Sequence, residues 1–219
     1  MRRLFSLTLF ITFSLSLQAQ YEEILLPVNE ISFNVFSLKN WQVVDDGPNY
    51  YPYFFQGVSY KRMINDHILR FGFNFFQKLD EHQDPKTLST GNFKEIELGF
   101  GYQRIFFESL VKPYVAADFV ILNSTSLKVN ESIPAENFRE EKDIRKFGLG
   151  VSPIVGVRFE TKTALSFSLE TSLQLIMIWE RGTIEYWEPD IVPTYTDVVD
   201  SGFDTRWNPV AGLFLTLKF

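Results

Sequence analysis

The chain has 219 residues, 45% of them apolar and 16% aromatic, with 23 Phe, 9 Tyr and 4 Trp, and carries a net charge of -6. That is more aromatic surface than the core of one soluble domain needs, yet a mean hydropathy of -0.05 excludes a bundle of membrane-spanning helices. The lack of cysteine excludes disulfide frameworks, thiolate metal sites, cysteine nucleophiles and the lipidated cysteine of a lipoprotein.

Residues 1–19 read as a secretory signal: Arg2 and Arg3, an apolar run from Leu4 to Leu17, then a small Ala19 before the expected cleavage. The run is shorter than the roughly 20 residues a spanning helix needs, so a cleaved signal is preferred to an anchor. Loss of Arg2 and Arg3 takes the 21 basic residues to 19 against 27 acidic ones, a balance that excludes nucleic acid as a partner. Residues 20–219 are then the mature domain, opening on a short lead-in from Gln20 to Asn29.

From there the chain alternates with a period of two, the signature of half-buried strands. Ile31, Phe33 and Val35 against Ser32 and Asn34 predict a first strand over 30–39, followed by a loop through Asp45-Asp46-Gly47-Pro48. A second strand spans 53–63, and Asn65-Asp66 turns into a third over 67–78, with Leu69, Phe71, Phe73 and Phe75 on one face. After a polar loop over 79–92, a fourth strand covers 93–104 and a fifth 112–122. Another polar loop, 123–145, leads to a sixth strand over 146–160, where Gly148, Gly150 and Gly156 share the small face and Pro153 predicts a bulge or local break. A seventh strand covers 164–179. The longest loop, 180–206, precedes the last strand, 207–219.

Eight strands, with three short turns at one end and four long loops at the other, predict an all-β, eight-stranded antiparallel barrel. Two such architectures compete. A secreted lipocalin turns its apolar face inward around a ligand, whereas a transmembrane barrel turns it outward to lipid. Small Gly, Ala and Ser side chains crowd the polar face, as a narrow bore requires, and the Gly-x-Trp opening typical of lipocalins is missing around Trp41. Trp41, Tyr50, Tyr51, Trp179 and Trp207 near the loop ends, and Tyr102, Phe159 and Phe219 near the turn ends, fall where interfacial aromatic girdles belong.

The final segment, WNPVAGLFLTLKF, places Leu213, Leu215, Leu217 and Phe219 on one face and stops on an aromatic. It resembles the closing strand and assembly signal of bacterial outer-membrane β-barrels. The chain as a whole is similar to the small outer-membrane barrels, including the PorT-like proteins associated with type IX secretion. The resemblance implies an integral protein of a Gram-negative outer membrane, with short periplasmic turns, long extracellular loops, and lipid and the barrel-insertion machinery as partners. It also implies a structural or accessory subunit of an envelope complex. Unlike the OmpA type, no periplasmic peptidoglycan-binding domain is expected after the last strand.

On the polar face, Lys61, Arg70, Arg158 and Lys218 fall towards the turn end, Glu97, Asp118 and Glu170 at middle height and Glu95 higher. Their charges nearly balance, so a salt-bridged plug is preferred to an ion-conducting path. Only His67 and His82 are available for histidine chemistry. His82 lies in a loop with Asp80, Glu81 and Asp84, near Ser89, and no Ser or His motif sits on a strand, so no catalytic residue, cofactor or metal site is expected. The alternatives to an accessory subunit are a lipid-modifying enzyme of the outer leaflet and a surface binder of ions or ligands. Glu185, Glu188, Asp190, Asp197, Asp200 and Asp204 in the last loop match no calcium-loop spacing. Tyr186, Trp187 and Tyr195 among them are the candidate partner-binding residues.

Overall fold

The computed structural model describes residues 29–41, 49–64, 67–83, 87–107, 109–132, 138–188 and 192–219. The expected signal, the lead-in before Asn29, the Asp45-Asp46-Gly47-Pro48 loop, the Asn65-Asp66 turn, Asp84 and Asp190 lie outside the described residues, as do the side chains of Trp41, Tyr50, Tyr51 and Asp80. The described residues form eight strands: β1 Asn29–Trp41, β2 Asn49–Ile64, β3 His67–Gln83, β4 Thr87–Ile105, β5 Val111–Ser132, β6 Arg139–Glu160, β7 Leu165–Trp187 and β8 Thr194–Lys218. Each pairs antiparallel with the next, and β8 returns to β1, so the sheet closes into a ring. The closing seam runs from Glu30 opposite Lys218 to Leu38 opposite Val210, and Asn29 and Phe219 exchange both backbone hydrogen bonds (3.2 and 3.0 Å).

Alternation along the strands sorts the side chains into two environments. On β7, Ser166, Ser168, Glu170, Ser172, Gln174 and Ile176 are buried, while Phe167, Leu169, Leu173, Met177 and Trp179 are exposed. The same parity turns Phe71 (48% exposed) and Phe73 (39% exposed) to the outside, the reverse of the inward arrangement a lipocalin needs. Seven consecutive outward positions on β6, from Phe159 to Phe147, are apolar, whereas Gly148, Gly156 and Arg158 on the same strand face inward and are buried. Gly156 has a steric reason: a Cβ there would run into the ring of Tyr114, which fills the bore beside it.

The ladder is irregular in two regions, and the first decides which residues of β1 face inward. Between Asn34 and Phe36, β1 advances two residues while β2 advances three, from Gly57 to Phe54, and Phe55 takes a left-handed φ of 52°. The inward row of β1 therefore changes parity, from Glu30, Ser32 and Asn34 to Ser37 and Lys39. The second lies between Glu170 and Ser172 on β7, opposite Gly212 and Asn208. At Pro153 there is no bulge, but the expected local break is present on the β7 side. β6 stays paired with β5 there, Ala117 opposite Pro153, and the β7 ladder skips Ser152 and Pro153 with its register unchanged, because proline withholds one donor without adding a residue.

The long loops need correction. Residues 79–83 and 87–92 continue β3 and β4 as a ladder from Leu79–Asn92 to Gln83–Leu88. Most of 123–145 extends β5 and β6, and most of 180–206 extends β7 and β8. These stretches mix polar and apolar residues on both faces, so they carry no regular hydropathy alternation, but backbone pairing seeded by the ring below continues through them regardless of side-chain polarity. The result is a lower ring and, above it, a projecting sheet. Only β7 pairs with β8 above Val210, so no described residue pairs with the other edge of β8 from Thr194 to Trp207.

Candidate functional site: an ion-paired bore beneath a projecting sheet

The inward rows of opposite walls meet in three layers. Nearest the turn end, Arg158 on β6 reaches across to Glu30 on β1 (2.8 and 2.5 Å) and along its own strand to Glu160 (2.6 Å), which also holds Lys218. In the middle layer, Arg70 on β3 makes a bidentate pair with Glu170 on β7 (3.1 and 2.9 Å) and contacts Asp118 on β5 (3.2 Å). The Tyr114 hydroxyl donates to Glu170 (2.7 Å), and Lys61 lies 3.8 Å from the same carboxylate. In the upper layer, Lys39 bridges Glu95 (2.5 Å) and Glu97 (2.9 Å) while resting 3.6 Å from the Phe76 ring centre. Gln174 donates to Glu97 (3.0 Å), and Arg206 joins Glu95 (3.0 Å) to Asp204 (2.7 Å).

All eight residues expected in an interior charge network, Lys61, Arg70, Glu95, Glu97, Asp118, Arg158, Glu170 and Lys218, line this bore. Sequence reasoning missed Glu30, Lys39, Lys112, Glu160, Asp204 and Arg206. Strand parity would have given three: Glu30 shares its face with Ser32, Lys112 with Tyr114, and Glu160 with Arg158. Lys39 was hidden by the β1 bulge, and Asp204 and Arg206 by their assignment to a loop. With the six added, seven cations (Lys39, Lys61, Arg70, Lys112, Arg158, Arg206, Lys218) meet seven anions (Glu30, Glu95, Glu97, Asp118, Glu160, Glu170, Asp204). Removing a charge from water costs several kcal/mol, roughly repaid only when each ion finds partners of good geometry. A neutral, multiply bonded set meets that condition.

Between the middle and upper layers lies a cavity of about 70 Å³. Asn34 Oδ1, Ser37 Oγ, Ser59 Oγ and Gln174 Oε1 line it, and none has a hydrogen-bond partner among the described residues. Both amide orientations are set by their nitrogens, which donate to Ala211 O (3.5 Å) and to Glu97. Four unpaired oxygens around a polar space of this size make a chamber suited to a few water molecules.

The remaining candidates fall elsewhere. Leu213 (37% exposed), Leu217 (43%) and Phe219 (61%) face outward with the half-buried Leu215. Tyr186, Trp187 and Tyr195 gather at the tip of the β7–β8 hairpin but not on one face. Tyr186 turns inward against Phe138 (ring centres 6.4 Å), whereas Tyr195 lies opposite Glu185 on the outside, which raises its phenol pKa through a hydrogen bond and a negative charge. On the inner face of the projecting sheet, burial would raise the Glu140 pKa. Hydrogen bonds from Lys142, Asn130 (2.9 Å) and Tyr186 outweigh that and hold it below the ordinary carboxylate range.

His67 contacts the Tyr102 hydroxyl at the turn end. His82 lies opposite Ser89 in the β3–β4 ladder, and Ser89 donates its proton to Asn130 (2.7 Å). No cluster of metal-ligating side chains occurs among the described residues. Compared with protein-family models, curated proteins and solved structures, the chain matches none.

Proposed function

We propose that the chain is an integral, eight-stranded transmembrane β-barrel of a Gram-negative outer membrane, with a sealed bore and a non-enzymatic, accessory role in the envelope. The observation that carries the membrane reading is the inverted sorting of side chains: charges inside, a continuous apolar band outside. From Phe159 to Phe147 on β6 the band spans thirteen residues, roughly 40 Å along the strand, or about 28 Å upright at a typical tilt near 45°, close to the apolar height of outer-membrane barrels. The aromatics Trp179 and Trp207 at its upper rim and Tyr102 and Phe159 at its lower rim fit the two interfaces.

Three ion-paired layers support a closed bore, because ions crossing it would have to displace several buried pairs at once. The β8 edge supports the accessory role: along it Tyr195, Val199, Phe203 and Trp207 alternate with Asp197, Ser201 and Thr205 in an exposed outward row, and an extended segment of another envelope protein can add to such an edge by backbone pairing. The test is reconstitution of the purified protein with lipid vesicles, followed by flotation and planar-bilayer recording. Flotation with the vesicles and no steady conductance are expected. A protein that stays in the aqueous fraction without detergent, or one that conducts as an open pore, overturns the reading.

A further inference from the structure

Two arginines oppose each other on the outer face of the projecting sheet. Arg145 on β6 lies directly across from Arg181 on β7, and both are exposed. The next same-face pair below them is Phe147 and Trp179, whose rings stack with centres 6.0 Å apart and an interplanar angle of 29°. Directly opposed residues on one face of an antiparallel pair have Cβ atoms about 5 Å apart, a spacing at which like charges destabilise the sheet.

Neither guanidinium is relieved by the protein. Among the described residues neither makes a hydrogen bond or an ion pair. The nearest acids are engaged or displaced: Glu180, held by Lys146, and Asp200, which accepts the Ser201 amide (2.7 Å), belong to the other face, while Asp143 and Asp197 on the same face lie one step above, on either side of Thr183. A recess of about 680 Å³ beside the pair is lined by both arginines together with Phe147 and Trp179, and also by the ion-paired Lys146 and Glu180 and by Asp200. Two planar, permanently charged forks suit the oxygens of a phosphate, which they can grip with several charge-assisted hydrogen bonds. The stacked rings just below, at the upper rim of the apolar band, suit the carbons attached to that phosphate.

We propose that Arg145 and Arg181 bind the phosphate of a lipid headgroup in the leaflet on the projecting side, with Phe147 and Trp179 packed against the start of its acyl chains. The depth of the site in a leaflet rests on the membrane reading; the anion chemistry does not. The bound phosphate turns an unfavourable like-charge pair into a bridged one, so the site ties this face of the wall to its lipid.

The full chain in non-ionic detergent is titrated with dioctanoyl phosphatidic acid, with dioctanoyl glycerol and with inorganic phosphate, and binding is read by native mass spectrometry and by the shift in melting temperature. Phosphatidic acid should bind about tenfold or more tighter than either of the others, and Arg145→Gln with Arg181→Gln should lose about tenfold or more of that affinity. The double lysine variant should fall between. Arg181→Gln alone should raise the lipid-free melting temperature at low salt, an effect that high salt removes. Binding unchanged in the double glutamine variant overturns the site. Glycerol lipid binding as tightly overturns the phosphate assignment, and inorganic phosphate binding as tightly overturns the lipid assignment. A chain that floats with vesicles while its double variant binds normally loses this site alone, whereas failure to float removes the membrane reading itself.

Discussion

Arg70 and Arg139 both approach a glutamate at 2.9 Å, Arg70 pairing with Glu170 in the lower ring and Arg139 with Glu141 in the projecting sheet. The first pair is 6% and 2% exposed, the second 50% and 35%. Equal distances conceal unequal energetics. In the bore a charge stripped of its partner has no water to fall back on, so removing one member costs far more than the intact pair contributes. On the projecting sheet solvent replaces the partner, and the pair contributes little. The ladder is continuous, but below Phe147 and Trp179 it uses charge to fill space, and above them it presents charge to the surroundings.

The largest expected effect tests this contrast directly. Arg70→Ala should cost about 3–5 kcal/mol of stability, and Arg139→Ala no more than about 1 kcal/mol, both read from urea unfolding in detergent micelles. Removing Arg70 and Glu170 together should cost less than the two single losses combined, because no unpaired ion is left behind. Similar losses at Arg70 and Arg139 would erase the distinction between the two halves.

The outer faces sharpen it further. Val155 is 57% exposed in the middle of the apolar band, and Phe203 is 67% exposed on β8 of the projecting sheet. In lipid vesicles Val155→Arg should cost about 2–4 kcal/mol, and Phe203→Arg about 1 kcal/mol or less, since the penalty for a charge facing lipid depends on its depth. If both arginines are tolerated equally, the band does not face lipid.

The smallest effect concerns acid. The Glu140 carboxyl is held below its ordinary value of 4.5 in the folded protein, so it adds stability above the unfolded pKa, and that contribution is lost as pH falls through the folded pKa. Hydrogen-exchange protection factors in the β5–β6 hairpin, corrected for the intrinsic rate at each pH, should therefore fall on acidification below about pH 4.5, and Glu140→Gln should blunt that change. An identical acid response in the variant would assign it to other groups.

The lower strands were legible because each has one face in each environment, and a period of two in hydropathy reports that contrast directly. Leu69 to Phe75 on β3 is the plainest case. Most inward charges followed from the same parity. Lys39 did not, since the irregularity between Asn34 and Phe36 reverses the β1 face and no composition cue marks the place. The projecting strands were not legible as strands either. Asp197, Asp200 and Asp204 read as loop acids, whereas β7 supplies a backbone partner for every one of them.

The amino-acid order by itself determined the all-β class, the turn-end limits of the strands, and the sorting of Phe71 inside out relative to Arg70, because adjacent side chains of a strand must point to opposite faces. Only the tertiary structure decided which ions meet. Arg158 and Glu30 lie 128 positions apart, and Arg145 finds Arg181 only through the β6–β7 register. Register is set by the bulges, the turns and the closure of the ring acting together, and none of these is encoded in a local run of residues.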